Sequence, residues 1–363
     1  MKIGILTFHR SDSYGATLQS YAMLKALEAL GCDAEFIDYV NPYEQQKHKP
    51  RSKGLKRILK NIKWKISSRL FRTESHLKRA FGNSSELYGN HITGRKYVSH
   101  EDLDTIEYDI LLSASDQIWN PFITNGIDDA YLLAHGKAKS RISYASSMGS
   151  HILTEEEKPV YKKCLDAFDS ISVREQFAKD ELSKLTDKTI DVVCDPTMLL
   201  DREDWIAFSD KAAPLQEGKY AIGFFVGGYP PENMKCVTQA KKLYGVPVYC
   251  IQKNGRHRKP FDKCIPGVTV PEFVRYLRDA EYVITDSFHG AVLALILGRP
   301  LFPLINRSNP VRVTELMRSL GLEDSLNSSE PVDCKNVNAK LEEMREHGRE
   351  WLKTAIEKGY GQH

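Results

Sequence analysis

The sequence has 363 residues, 41% hydrophobic and 27% charged, which is enough chain for two domains with cores of their own. No apolar run is long enough to span a bilayer, and the seven scattered cysteines form no Cys-x-x-Cys pair, which argues against a disulfide framework or structural zinc and for a reduced, cytoplasmic protein. The net charge of +3 hides an asymmetry: between Lys47 and Arg79 thirteen Lys or Arg face one acid, giving that segment +12 and leaving −9 for the rest.

Lys2 to Phe8 reads as a first strand rather than a signal peptide, because it is short and lacks a small-residue cleavage site. Gly15 to Leu30 carries Leu18, Ala22, Ala26 and Leu30 at helical steps, and Ala34 to Tyr39 is a second strand. The polar loop between them, from His9 through Tyr14 to Gly15, sits at a strand's carboxyl end, where α/β sheets bind ligands. In the basic segment, residues 47–79, Leu55, Ile58, Leu59, Ile62, Ile66 and Leu70 fall on one helical stripe, with Trp64 and Phe71 among the lysines. Two readings stand: a helix lying on an anionic membrane face, and a surface helix with snorkelling lysines. Nucleic-acid binding ranks below both, since the remaining chain is acidic and has no reader motif.

Tyr108 to Ser113 is a strand running into Ser115, Asp116, Gln117, Ile118, Trp119 and Asn120. Arg141 to Ala145, Ser170 to Val173 and Asp191 to Cys194 are further strands, each followed by polar residues; Arg174 follows the second of these. After a helix and link over 200–218 the pattern restarts, with strands at Tyr220 to Val226 and Pro247 to Ile251, an exposed basic loop from Lys253 to Lys263, and a helix from Pro271 to Ala280. Tyr282 to Thr285 is a β-branched strand, and the apolar run from Ala291 to Gly298 a buried helix, so Asp286, Ser287 and His289 lie at a strand-to-helix turn. Such a turn offers free N–H groups to an anion; capping by Asp286 and Ser287, with a core role for His289, is the structural alternative. Pro300 to Ile305 is a strand, Val311 to Leu320 a helix, and 336–357 a charged terminal helix. The expected architecture is two facing doubly wound α/β units, 1–205 and 215–335, with residues 336–363 as a helix packing back on the first. No Walker loop, Gly-x-Gly-x-x-Gly or His-Glu-x-x-His is present, so kinase, NAD and zinc-hydrolase readings lose support.

Six runs in order carry a resemblance: Tyr14-Gly15-Ala16-x-Leu18-Gln19-x-Tyr21-Ala22, Ser115 to Asn120, Tyr144-Ala145-x-Ser147-x-Gly149, Ser172-Val173-Arg174-Glu175, Asp195-Pro196-Thr197 and Thr285 to Gly290. Together they make the chain similar to the polysaccharide pyruvyl transferase family. That resemblance implies a GT-B-like fold of two Rossmann-like domains and transfer of pyruvate, as a ketal across two sugar hydroxyls, from phosphoenolpyruvate, a co-substrate, with no cofactor. It implies a donor site of Arg174 with Ser287, Phe288 and His289. Many members carry arginine and leucine where this chain has Ser287 and Phe288, and Arg307 or Arg312 in the next loop is the candidate replacement; a different donor is the alternative.

The chemistry needs a cation for the carboxylate, donors for the phosphate, an acid near C3 and a base near the hydroxyl. Arg174 matches a carboxylate with its planar fork. His289, with an imidazole that can give or take a proton, suits the acid or the leaving phosphate, while Asp116 and Asp286 are candidates for the base or for orienting the histidine. His9, Tyr14, Ser115, Gln117 and Trp119 are expected on the acceptor side. No histidine or carboxylate cluster has ligand spacing in the sequence, so no metal is expected. Expected partners are phosphoenolpyruvate, a glycan acceptor that could be lipid-linked, and the inner membrane face through 47–79. The alternatives are a nucleotide-sugar glycosyltransferase of the same fold and a non-catalytic glycan-binding member.

Overall fold

The computed structural model describes residues 1–41, 69–307, 309–332 and 334–361. The first unit runs β1 (Lys2–Leu6), α1 (Tyr14–Ala29), β2 (Asp33–Phe36), α2 (Thr73–Phe81), α3 (His100–Leu103), β3 (Glu107–Ala114), α4 (Pro121–Thr124), β4 (Lys137–Ser146), α5 (Lys158–Leu165), β5 (Ser170–Val173), α6 (Gln176–Leu182) and β6 (Ile190–Val192). Through α7 (Arg202–Ser209) the chain enters a second unit: β7 (Ala221–Phe224), α8 (Pro231–Tyr244), β8 (Val248–Gln252), β9 (Lys263–Pro266), α9 (Val270–Arg278), β10 (Val283–Thr285), α10 (Phe288–Ile296), β11 (Leu301–Pro303) and α11 (Val311–Ser319). A long helix, α12 (Asn338–Gly361), ends the described chain.

Every strand pair within the two sheets is parallel, and the orders are β2-β1-β3-β4-β5-β6 and β11-β10-β7-β8-β9. This is the two-unit, GT-B-like α/β fold. The direction of winding reverses between β1 and β3 in the first sheet and between β7 and β10 in the second. Loops diverge at such a reversal and leave a crevice at the carboxyl ends of the strands. In this chain the two crevices open toward each other.

The units are pinned across that opening by α1. Tyr14, its first residue, donates its hydroxyl to Val268 O at 2.6 Å and stacks on Phe273 with ring centroids 4.3 Å apart. Helix α10 is buried along its whole length, which explains a sequence apolar on every side. At about 1.5–3 kcal/mol for each large aliphatic side chain, its Val292, Leu293, Leu295 and Ile296 anchor the wall behind the cleft.

The terminal helix returns to the first unit. Gly348 permits the close approach, since a Cβ there would lie 2.7 Å from Tyr144 Oη and 2.8 Å from Cys194 Sγ. Trp351 Nε1 donates to Asp191 at 2.7 Å, and Arg345 Nε to Met198 O at 3.0 Å. The basic segment expected as an amphipathic helix over 47–79 lies mostly outside the described residues; its end forms α2, where Arg79 bonds Gly267 O and Glu272 of the second unit. Among the described residues no helix is long and apolar enough to cross a membrane. Lys263, read from the sequence as the last residue of a loop, instead opens the edge strand β9 (Lys263–Pro266), in register with β8. Three of these four residues are half-buried and one is exposed, so they lack the apolar pattern of a central strand.

Candidate active site

A cleft of about 910 Å³ lies between the units and is lined from all four loops at the two winding reversals. They supply Ser11 and Ser13 after β1, Asp116 and Gln117 after β3, Phe225 to Gly228 after β7, and Asp286 to His289 after β10, with the single break that Gly227 does not face it. Asn306, Asn309 and Arg312 close one side.

The turn after β3 sends neighbouring side chains in opposite directions. Ser115 and Asp116 both take left-handed backbone angles, with φ of 45° and 58°. Such angles strain a non-glycine residue by about 1–3 kcal/mol, and aspartate tolerates them better than most. The turn is held by Ser115 N donating to Tyr144 O at 2.9 Å and by Ser147 N donating to Asp116 O at 3.0 Å. Asp116 therefore faces the cleft while Ser115 turns inward, its hydroxyl donating to Asp195 at 3.1 Å.

Asp195 is the hub of a buried charge cluster. One oxygen accepts from Thr197 N and Oγ1; the other accepts from Ser115 and from Arg174 Nη1 at 2.8 Å, and lies 3.6 Å from His289 Nε2. Burial would raise this carboxyl, but His289, Arg174 and Thr197 outweigh it and hold it far below the usual carboxylate range. Arg174 also donates from Nε to Glu175 at 2.8 Å. Burial opposes its charge, yet the two carboxylates keep the guanidinium more firmly protonated than usual. Only its Nη2 has no partner among the described residues.

His289 occupies the first turn of α10, capped by Ser287, whose hydroxyl accepts from Gly290 N at 3.3 Å. Its ring rests on bare backbone: a Cβ on Gly15 would stand 2.1 Å from His289 Nδ1. Asp286 accepts from Val226 N at 2.7 Å and Gly227 N at 3.0 Å, tying the loop after β7 to the turn after β10. Burial raises its carboxyl in spite of these bonds.

Two guanidiniums sit against Phe288: Arg174 Cζ is 4.8 Å from the ring centroid and Arg312 Cζ 5.2 Å. Arg312 is the less satisfied. Its nearest acid is Asp116 at 3.9 Å, its Nε and Nη2 have no hydrogen-bond partner among the described residues, and burial together with Arg174 lowers it to about 10. Behind Phe288 a second cavity of about 550 Å³ is lined by both arginines, Glu175 and Asp195.

Thus Tyr14, Asp116, Gln117, Asp286, Ser287, Phe288, His289 and Arg312 face one cleft, whereas Arg174 stands behind Phe288. Four expected positions lie elsewhere. Trp119 is 1% exposed and donates Nε1 to Tyr131 O, so no sugar reaches its face. Ser115 is turned inward, and His9 is buried 3.6 Å from Asp38 and stacked on Phe36. Arg307 is 75% exposed and pairs with Glu232. Of the two arginines expected in one loop, Arg312, which lies in the first turn of α11, is the one at Phe288.

Sequence reading left Asp195, Asn309 and Arg258 without roles. Asn309 donates to Gln117 Oε1 at 3.0 Å across the cleft, and Arg258 stacks 4.3 Å over Tyr229. The signal available for Asp195 was its place in a polar run directly after a strand.

No curated protein matches the sequence. Solved structures similar to it include UDP-GlcNAc 2-epimerase of Methanocaldococcus jannaschii in complex with UDP-GlcNAc and UDP, 13% identical, covering 99% of this chain and 100% of that one with a TM-score of 0.48. Another is the E. coli heptosyltransferase WaaC with ADP, 14% identical, covering 96% of this chain and 100% of its own, with a TM-score of 0.40. The model of the family described as polysaccharide pyruvyl transferase matches residues 14–309, from the start of α1 to the loop before α11. With that match spanning both units and the cleft between them, the chain belongs to the polysaccharide pyruvyl transferase family.

Proposed function

We propose that this protein transfers the pyruvyl group of phosphoenolpyruvate to two hydroxyls of a sugar in a surface polysaccharide or its lipid-linked precursor, forming a ketal and releasing phosphate. The observation that carries this reading is the half-buried cation Arg312, two of whose N–H-bearing nitrogens are buried at the cleft wall without a partner among the described residues. Buried donors without acceptors are costly, and an anion with a carboxylate and a phosphate satisfies them.

The residues divide the work as follows. Arg312 meets the donor's anionic groups, with Arg174 Nη2, which has no partner among the described residues, behind it. The capped start of α10 adds N–H groups and a positive dipole end. His289 delivers a proton to C3 of the enol as a sugar oxygen bonds to C2; the C2–O bond to phosphate then breaks with its electron pair, and the second hydroxyl closes the ketal. Asp116, facing the cleft, accepts a hydroxyl proton, and the departing phosphate takes the other. Asp286 has both oxygens engaged by backbone N–H groups and serves to hold the two loops together. Gln117, bonded to Asn309, forms the acceptor side of the cleft, which Tyr14 also lines. No metal or cofactor takes part in this scheme.

The proposed place of work is the cytoplasmic membrane face, reached through the basic segment. In flotation with anionic liposomes, binding should fall when Lys56, Arg57, Lys60 and Lys63 become Gln; unchanged binding rejects the membrane role.

The deciding experiment is phosphate release from phosphoenolpyruvate with a panel of lipid-linked and nitrophenyl glycosides. Acceptor-dependent release, a product heavier by pyruvate less water, and silence in His289→Ala are expected. Arg312→Ala should weaken phosphoenolpyruvate binding by about tenfold to a hundredfold, the scale of a charge-assisted hydrogen bond, while Arg307→Ala leaves it unchanged. No release with any acceptor and no stabilisation by phosphoenolpyruvate, but stabilisation by a nucleotide, overturns the donor assignment.

A further inference from the structure

Outside the cleft, on α3 and the loop leading into β4, two histidines converge on one carboxylate. His100 Nδ1 lies 3.5 Å from Asp129 Oδ1, and His135 Nε2 lies 3.1 Å from the same oxygen. The imidazoles stack, with centroids 4.3 Å apart and planes inclined by 27°. One ligand atom from each of the three residues lies within 4.8 Å of the others.

The outer nitrogens are also engaged. His100 Nε2 lies 3.2 Å from Asp128 Oδ1, and His135 Nδ1 lies 3.0 Å from Asp104 Oδ1. Asp128 is itself buried and accepts from the Tyr39 hydroxyl and from Asn41 Nδ2. Histidine ligands of metal ions characteristically donate their second N–H to a carboxylate, which fixes the tautomer and turns the lone pair of the other nitrogen on the ion. Both imidazoles here are in that position, and the other nitrogen of each is turned toward Asp129 Oδ1.

Charge favours a cation there. Asp104, Asp128 and Asp129 surround two imidazoles, and among the described residues their ion pairs are with these two histidines, with no lysine or arginine. We propose that His100 Nδ1, His135 Nε2 and a carboxylate oxygen of Asp129 bind one divalent transition-metal ion of the zinc class. Two imidazoles and a carboxylate suit a borderline ion. Water completes the coordination, since the His100 side chain is 40% exposed. The ion would tie together α3, residues 128–135 and, through Asp128, the stretch from Tyr39 to Asn41, beyond which the chain enters the basic segment. None of these residues lines the catalytic cleft.

The test uses the full chain, stripped with chelator and freed of it, titrated with Zn²⁺ by calorimetry and with Co²⁺ by visible absorption near pH 7.5. One equivalent should bind, with the intense Co²⁺ bands of a low-coordinate nitrogen and oxygen site. His100→Gln and His135→Gln should each weaken binding by at least 100-fold. Asp104→Asn, which keeps all three ligands and guards against a folding failure in the histidine variants, should weaken it by about 10–100-fold. The melting temperature should rise with Zn²⁺ in the parent and not in the histidine variants. Absence of stoichiometric binding, or binding undiminished in the three variants, overturns the site and leaves the cluster as a histidine–carboxylate hydrogen-bond network.

Discussion

Gly15 is where the proposed chemistry and the packing can be separated by a single methyl group. It is the second residue of α1, in ordinary helical conformation, so alanine would fit the backbone and on helix propensity alone would gain up to about 1 kcal/mol. The added Cβ, however, would stand 2.1 Å from His289 Nδ1, 2.6 Å from Cε1 and 2.8 Å from Cγ. Ordinary contact starts near 3.5 Å, so the ring or the helix must retreat by more than about 1 Å. Overpacking of that kind costs about 1–3 kcal/mol, much of it offset by the helical gain, so net stability should change by no more than about 2 kcal/mol. Catalysis has no such compensation: a 1 Å misplacement of a reacting group costs roughly a hundredfold in rate. Gly15→Ala should therefore melt within a few degrees of the parent in calorimetry while its turnover at saturating phosphoenolpyruvate falls about 100-fold. In a His289→Ala background the same change should cost nothing further in rate, because the two effects run through one ring. Full turnover in Gly15→Ala would refute the assignment of His289 to the reacting centre.

Asp195→Asn should be the most damaging isosteric change in the cluster, because it leaves the buried Arg174 short of one of its two carboxylates; a loss of about 3–5 kcal/mol is expected, read as a lower urea midpoint with unchanged slope. A second test is the acid limb of stability. Burial alone would raise the Asp38 carboxyl, but the neighbouring His9 and the hydrogen-bonded guanidinium of Arg10 bring it to about 2 from an ordinary value near 3.8. A depressed folded value gives stability that is complete above the unfolded pKa and lost as pH falls through the folded one, so about 2 kcal/mol should disappear between roughly pH 4 and pH 2, and Asp38→Asn should lose that part of the slope. Trp119→Phe removes the indole bond to Tyr131 O in the core and should cost about 1 kcal/mol by urea titration with the acceptor KM unchanged; a large rise in KM would return the residue to the sugar site.

The fold was legible because its signals are local. A β-branched run followed by polar residues marks a strand and its carboxyl end, and in a parallel sheet all such ends share one rim, so the loops holding Asp116, Asp286 and His289 were placed from sequence alone. The direction of individual side chains was not legible. Ser115 and Asp116 separate only because both take left-handed angles, and nothing in their types says which one turns inward. Trp119 reads equally well as a platform for a sugar or as a core residue until the carbonyl of Tyr131 is seen to accept its N–H. Arg307 and Arg312 read as two equal charges of one loop, and the start of α11 separates them: Arg307 precedes it and points to solvent, whereas Arg312 lies in its first turn and is carried against Phe288. The pairing of His100 with His135 spans β3 and α4, a distance that no local spacing rule covers.

The same distinction explains why the resemblance to a family could run ahead of the roles of its residues. Arginine at position 174 matches a carboxylate in isolation, and the sequence places it at a strand end, but in the folded chain its charge is already met by Glu175 and Asp195. So paired, the guanidinium keeps only Nη2 to offer a ligand among the described residues, and its further contribution is a fixed position for Asp195, and through Asp195 for His289. Arg312 is the converse. It is 3.9 Å from its nearest acid, close to a second guanidinium, and lowered to about 10 by burial and that neighbour, so its charged form is held at a cost that an incoming anion relieves. Binding a donor should therefore raise the Arg312 value and strengthen the whole cluster. If the proposed function is correct, phosphoenolpyruvate must stabilise the parent protein more than Arg312→Ala, whereas an equal rise in melting temperature for the two would mean that the anion sits elsewhere in the cleft.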